Sequence, residues 1–265
     1  MGWPVLAMIL MLSTGCPGSS VTVPRDAGTG HGVKGRVVDF ETCLTAAGCQ
    51  GVAGLRVGLF HDTTIFSAPT TDSGAFALAN VPDGPQLLLV SDALTSGQVL
   101  PTLNAEPVVT HDADLTGVEL MVLRRSGALY AGISSEAGVD VDTNMLYLGQ
   151  VFGVSDGSML AIQNVTISSS PTAAVRYVRC PSSFSQCAGE TTLFDPGHSG
   201  GTSNFGEFVL IGASSADYTI SASSTLHSFA PVQASLGRGY ITVGLHRSLS
   251  PAAPDSAAAL QDSGL

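Results

Sequence analysis

The sequence predicts an all-β chain of two tandem β-sandwich domains behind an apolar leader and a tether, and three observations lead there. First, 31 glycines and 14 prolines among 265 residues, with 12% charged and 44% hydrophobic residues, describe many short strands joined by turns rather than long helices. Second, apolar residues recur at alternate positions over short runs, the period of a half-buried strand. Third, one spacing occurs twice, because Thr70, Gly74 and Phe76 return with identical separations as Thr202, Gly206 and Phe208. The length accommodates two modest domains of roughly 100 residues, each able to bury its own core.

The leader comes first. Met1 to Leu12 is an almost unbroken apolar run, too short to span a bilayer, and it ends in Ser13-Thr14-Gly15-Cys16. Small residues before a cysteine resemble a lipoprotein signal peptide. The resemblance implies that residues 1–15 are removed and that Cys16 becomes a lipidated N-terminus, a lipid anchor in the membrane. The chain is then an exported cell-envelope lipoprotein attached to the outer membrane. The other reading is an ordinary secretory signal peptide; both place the mature chain outside the cytoplasm. Residues 16–30, opening with Pro17-Gly18-Ser19-Ser20, read as a flexible tether.

The remaining cysteines fit an oxidising compartment. Cys43 and Cys49 are close in sequence, as are Cys180 and Cys187, and of three possible connectivities the two local disulfides are the simplest. Loops this short stabilise by only roughly 2 to 2.5 kcal/mol each on a chain-entropy estimate, so the bridges are expected to tidy loops. Zinc is the rival ligand, but no pair has the C-x2-C spacing.

Within the first unit, 31–125, Leu55, Val57 and Leu59 alternate with Arg56 between them, Phe76 and Leu78 alternate after Gly74, and Gln86 to Val90 is a run suited to a central strand. Turn signals separate the strands at Thr71-Asp72-Ser73-Gly74 and Val81-Pro82-Asp83-Gly84. A second unit, 145–247, repeats the plan. Gly149 to Gly153 stands where Gly35 to Asp39 stood, and Asn164 to Ile167 takes the place of the strand around Val57. The closing run Gly117 to Arg124 is matched with Gly239 to Arg247. Phe76 and Phe208 are thus expected to be equivalent core residues of two separately folding sandwiches.

Gly35 to Asp39, Val52 to Val57, Thr70 to Phe76 and Val81 to Gly84 together resemble the carboxypeptidase regulatory-like module, a sandwich of Ig-like, transthyretin-like topology. The resemblance covers about 90 residues well and extends less securely over the second unit. It implies a scaffold or accessory domain and transfers no catalytic residue, so it speaks to fold and is nearly silent on function.

Between the units, 126–144 carries Glu136, Asp140, Asp142 and Asn144 and reads as a solvated acidic linker. Asp140, Asp142 and Asn144 also resemble the start of a calcium loop, which lacks its glycine and its closing glutamate. The tail 248–265, rich in Ala, Pro, Ser and Asp, is expected to be disordered.

A net charge of −11 with ten Lys and Arg leaves no basic surface for phosphates, which excludes nucleic acid as a partner. Gly197-His198-Ser199-Gly200-Gly201 satisfies the G-x-S-x-G pattern. That motif needs a buried strand before the serine and a helix after it, yet Asp195-Pro196 precedes and a returning strand follows. Asp217 with His227 or His246 preserves the order of a triad without the fold to assemble it. None of the six histidines begins the His-x-x-Glu pair of a zinc carboxypeptidase, and His111 with Asp112 and Asp114 reads as an exposed polar turn. No cofactor, metal or catalytic residue is therefore expected. The reading is a non-catalytic envelope module whose partner is an unknown envelope protein or glycan. The alternatives are a carbohydrate- or ligand-binding accessory module and, more remotely, a serine hydrolase using Ser199.

Overall fold

The computed structural model describes residues 30–43, 48–93, 97–111, 113–135, 139–140, 143–155, 158–178, 194, 200–203 and 206–249. The leader, Cys16, the tether before Gly30, Cys180, Cys187, Ser199, Asp112, Asp142 and the tail beyond Leu249 lie outside the described residues.

The first unit runs through β1 (His31–Asp39), α1 (Phe40–Cys43), β2 (Leu55–Leu59), β3 (Asp62–Phe66), β4 (Ala75–Val81), β5 (Gly84–Gln86), β6 (Leu88–Asp92), β7 (Thr102–Asn104), β8 (Val108–Thr110) and β9 (Leu115–Val122). After α2 (Ala128–Ser135), the second runs through β10 (Met145–Ser155), β11 (Ser158–Ala161), β12 (Thr166–Ser170), β13 (Ala174–Tyr177), β14 (Glu207–Gly212), β15 (Ala216–Ser223), β16 (Val232–Leu236) and β17 (Ile241–Arg247). The chain is all-β and forms two tandem Ig-like β-sandwiches. In the first, the sheet β4-β1-β9 faces strands β7-β6-β2-β3 across a core of Val37, Leu55, Val57, Phe76, Leu78, Val90 and Leu120. In the second, β13-β14-β10-β17 faces β12-β15-β16 across Tyr147, Val151, Ile167, Phe208, Leu210, Tyr218 and Ile220. In both units the opening strand lies between an antiparallel and a parallel neighbour, β4 and β9 on β1, β14 and β17 on β10.

The repeated spacing has a physical cause at every position. The Thr70 hydroxyl donates to the Val52 carbonyl at 2.7 Å and accepts from the Leu55 amide at 2.9 Å. Thr202 donates to Ile162 at 2.7 Å and accepts from Val165 at 3.1 Å, the same clasp one unit later. Gly74 and Gly206 sit at φ of 78° and 68°, and a β-carbon on either would run into the carbonyl of Val37 or Val151. Two residues on, Phe76 lies opposite Gly35 and Phe208 opposite Gly149, and both rings are buried in their sandwich cores. Replacing Thr202 by Val is expected to cost about 1 to 3 kcal/mol by stranding two buried backbone groups. Thr202→Ser should recover most of that in denaturant titration.

The closing strands do not align as expected. Val37 lies opposite Leu120 but Val151 opposite His246, so the β9 and β17 pairings differ by four residues from the Gly117–Gly239 match. An even offset preserves which face is buried, which is why composition alone did not expose the slip.

The segment expected as a solvated linker is corrected by the structure. Among its residues Leu129, Ile133 and Val139 are buried in a third core with Phe40, Leu100 and Leu123 from the first unit and Leu146, Leu148, Val209, Ile241 and Val243 from the second. The reason is that the sheet carrying β10, β14 and β17 is apolar on both faces and needs a cover on its outer side. Helix α2 supplies it through Leu129 and Ile133, four residues apart on one face. The two units also share a sheet. Parallel pairing of Ile241, Thr242 and Val243 with Thr102, Leu103 and Asn104 joins β17 to β7 in one nine-stranded sheet. The tail likewise begins later than expected, because the Ser248 amide donates to Phe152 at 2.8 Å and Ser248 is buried.

Candidate functional site

A cluster of buried and half-buried titratable groups lies where the two sandwiches meet. Strand β1 ends at Asp39, whose Oδ2 is 3.0 Å from Arg124 Nε, an ion pair that is not aligned as a hydrogen bond. One turn on, Glu41 of α1 reaches the N-terminus of α2, where its oxygens accept from the Leu129 amide at 2.7 Å and the Ala128 amide at 3.1 Å. These are amides that the helix itself cannot satisfy, so a side chain distant in sequence caps it. Gly127 permits the approach, since a β-carbon there would meet the Glu41 carboxylate. Burial raises the carboxyl of Glu41 above its ordinary range, with the helix amides opposing and Asp39 adding to the shift. Burial also raises Asp39, against the pull of Arg124.

Glu207 opens β14 on the outer face of that strand, the face that Val209 presents to the junction core. It is fully buried, and neither carboxyl oxygen has a hydrogen-bond partner among the described residues. Burial, and secondarily the charge of Glu41, hold it well above the usual carboxylate range.

On the opposite face, His246 Nε2 lies 2.9 Å from the Tyr147 hydroxyl inside the second core, and its Nδ1 has no partner among the described residues. Burial lowers its pKa to about 4 and pushes the Tyr147 phenol upward. Phe208 stacks beside both, 5.8 Å from Tyr147 and 5.4 Å from His246 between ring centroids. Gly149 and Gly244 make the room, as a β-carbon on the first would strike the Phe208 ring and on the second the Tyr147 ring.

The residues singled out in the sequence are dispersed. Cys43 and Cys49 form a disulfide, while Cys16, Cys180, Cys187 and Ser199 fall outside the described residues. Asp217 accepts from the Ser235 hydroxyl on an exposed strand face, His227 Nδ1 is 3.2 Å from the Ser248 hydroxyl, and His246 is sealed in the core, so no pair of them assembles. The Asp140 carbonyl accepts from the Asn144 backbone and side-chain amides at 2.8 and 2.9 Å, closing a turn. Asp114 accepts from the Gly32 amide at 2.6 Å, and His111 is exposed. Among the described residues the one grouping of three metal-ligating side chains is Cys43, Cys49 and Glu119, and both sulfurs there are bonded to each other. Glu41, Glu207 and Gly127 were missed in the sequence. The available signal was an acid leading the otherwise apolar Phe208-Val209-Leu210-Ile211 run.

No family model matches the chain, and no curated protein matches it in sequence. Among solved structures it is similar to a minor pilin of Streptococcus agalactiae, at 11% identity over 85% of this chain and 99% of that one, with a TM-score of 0.26. A shaft pilin of Lactobacillus rhamnosus GG is 12% identical over 85% of this chain and 100% of that one, with a TM-score of 0.24. A cohesin–X–dockerin complex of Acetivibrio cellulolyticus matches at 16% identity and a TM-score of 0.25 over 35% of this chain, which spans 57% of that one.

Proposed function

We propose that this protein is a non-catalytic structural or protein-interaction module of the cell envelope, exported and held to a membrane by a lipid on Cys16. The observation that carries the reading is what most of the buried and half-buried polar groups hold, Glu207 excepted. Glu41 caps a helix, Asp39 pairs with Arg124, His246 pairs with Tyr147, and the Thr70 and Thr202 hydroxyls clasp backbone. Such groups rigidify and specify a fold rather than present a reactive atom to solvent. The carboxypeptidase regulatory-like resemblance supports the same scaffold role. Among the described residues no helix is long and apolar enough to cross a membrane; the anchor in this reading is the lipid that the leader sequence implies.

Two labelling experiments test this. Wild type expressed in a host that processes lipoproteins should incorporate a fatty-acid probe that Cys16→Ser does not; equal labelling would remove the anchor. A fluorophosphonate probe should leave Ser199 unmodified, and stoichiometric labelling lost in Ser199→Ala would replace the module with a hydrolase.

A further inference from the structure

We propose that the Cys43–Cys49 disulfide is a redox-sensitive clamp on the junction between the two sandwiches, acting by holding α1 so that Glu41 caps α2 and Phe40 fills the shared core. Helix α1 has four residues, too few to hold itself together. Its returning strand segment binds it from one side: the Asp39 amide donates to the Gln50 carbonyl at 2.9 Å and the Gln50 amide to the Thr42 hydroxyl at 2.8 Å. Arg36 adds a bond to the Cys49 carbonyl at 3.2 Å, and the disulfide closes the segment covalently. What the closed segment presents is directed at the other unit. Phe40 is buried beside Leu129, Ile133 and Val209, and both Glu41 oxygens sit on α2 amides.

The position is a costly one for a carboxylate. Glu41 is half-buried, and both its burial and the charge of the adjacent Asp39 push its carboxyl up. Arg124 is ion-paired to Asp39, and Arg125 donates to the Tyr130 hydroxyl at 3.0 Å. Released from its tether, the Glu41 side chain exchanges the backbone amides of α2 for water, so the open arrangement becomes accessible. Both cysteines are partly exposed, within reach of a small dithiol. One thiolate of the dithiol attacks a sulfur and breaks the Sγ–Sγ bond. Its second thiol then resolves the mixed disulfide, leaving the dithiol oxidised by two electrons and a proton on each of Cys43 and Cys49.

Hydrogen exchange on the full chain reads the clamp directly. Cys43→Ser/Cys49→Ser is compared with oxidised wild type and with oxidised Glu41→Ala, and the double variant isolates this bridge from any effect of a reductant on Cys180 and Cys187. Amides of Ala128 and Leu129 should exchange about tenfold faster or more in both variants, with amides inside the sandwiches, such as Val57 and Ile220, unchanged. Dithiothreitol-treated wild type should reproduce the pattern. Unchanged exchange at Ala128 and Leu129 in the double variant would overturn the proposal. So would an increase spread equally over both sandwiches, which would make the bridge an ordinary staple of global stability.

Discussion

Phe208→Ala is expected to destabilise the protein by about 3 to 5 kcal/mol, a large part of the roughly 5 to 15 kcal/mol that holds a domain. The ring is fully buried, flanked by Tyr147 and His246, and laid over Gly149, which has no side chain to relax into the void. Phe76→Ala should cost a similar amount, because Phe76 occupies the matching site opposite Gly35. Denaturant titration should show a lower midpoint at an unchanged slope for each variant.

Glu207→Leu is expected to act in the opposite direction, stabilising by about 1 to 3 kcal/mol at pH 7, since it removes a buried polar group with no partner for either oxygen among the described residues. The pH dependence carries a sign. Glu207 holds its proton in the folded state well above the pH at which the unfolded chain releases it, near 4.5. Between those two values the folded state binds the extra proton, so this group lowers stability as pH rises, by up to about 1.4 kcal/mol per unit. His246 works from the other side. Its folded pKa of about 4 lies below the ordinary 6.5, so the unfolded state takes the proton first and stability falls as pH drops from 6.5 toward 4. The two slopes oppose each other between about pH 4.5 and 6.5, so thermal melts from pH 4 to 8 should show in wild type a loss above about pH 6.5 that Glu207→Leu abolishes, while Glu207→Leu should uncover a loss toward acid pH that Glu207→Leu/His246→Phe lacks. An alkaline limb that is the same in wild type and Glu207→Leu would mean that Glu207 is hydrated.

Strand period and turn chemistry made much of this fold legible before any coordinates. Leu55, Val57 and Leu59 alternate because one face meets a core and the other water, and the Thr-x-x-x-Gly-x-Phe spacing encodes a clasp, a left-handed turn and an anchor. The junction was not legible, because its contacts come from residues far apart in sequence. Glu41 and Leu129 are separated by 88 positions, and nothing local in either announces the other. A partial signal did exist in Met145-Leu146-Tyr147-Leu148 and Phe208-Val209-Leu210-Ile211, which are continuous apolar runs and not alternating ones. A sheet apolar on both faces must be covered on both, and α2 is the cover. Glu136, Asp140 and Asp142 pointed instead to a solvated linker, yet all three follow α2 in the sequence, and the residues of the helix that pack are Leu129 and Ile133. Of the candidate site residues, Cys43 and Cys49 were readable from spacing, whereas the buried state of Glu207 and His246 depends on which face of a strand the shared core occupies.

A common sheet and a third core should make the two sandwiches one cooperative body, and calorimetric unfolding of wild type, Phe76→Ala and Phe208→Ala reads this. The pairing of β17 with β7 and the burial of α2 between the units predict a single transition in wild type. Either substitution should then lower that transition as a whole, by about 2 to 4 °C per kcal/mol lost. Two transitions, with Phe76→Ala moving one and Phe208→Ala moving only the other, would contradict the account and make the junction a contact between independent domains.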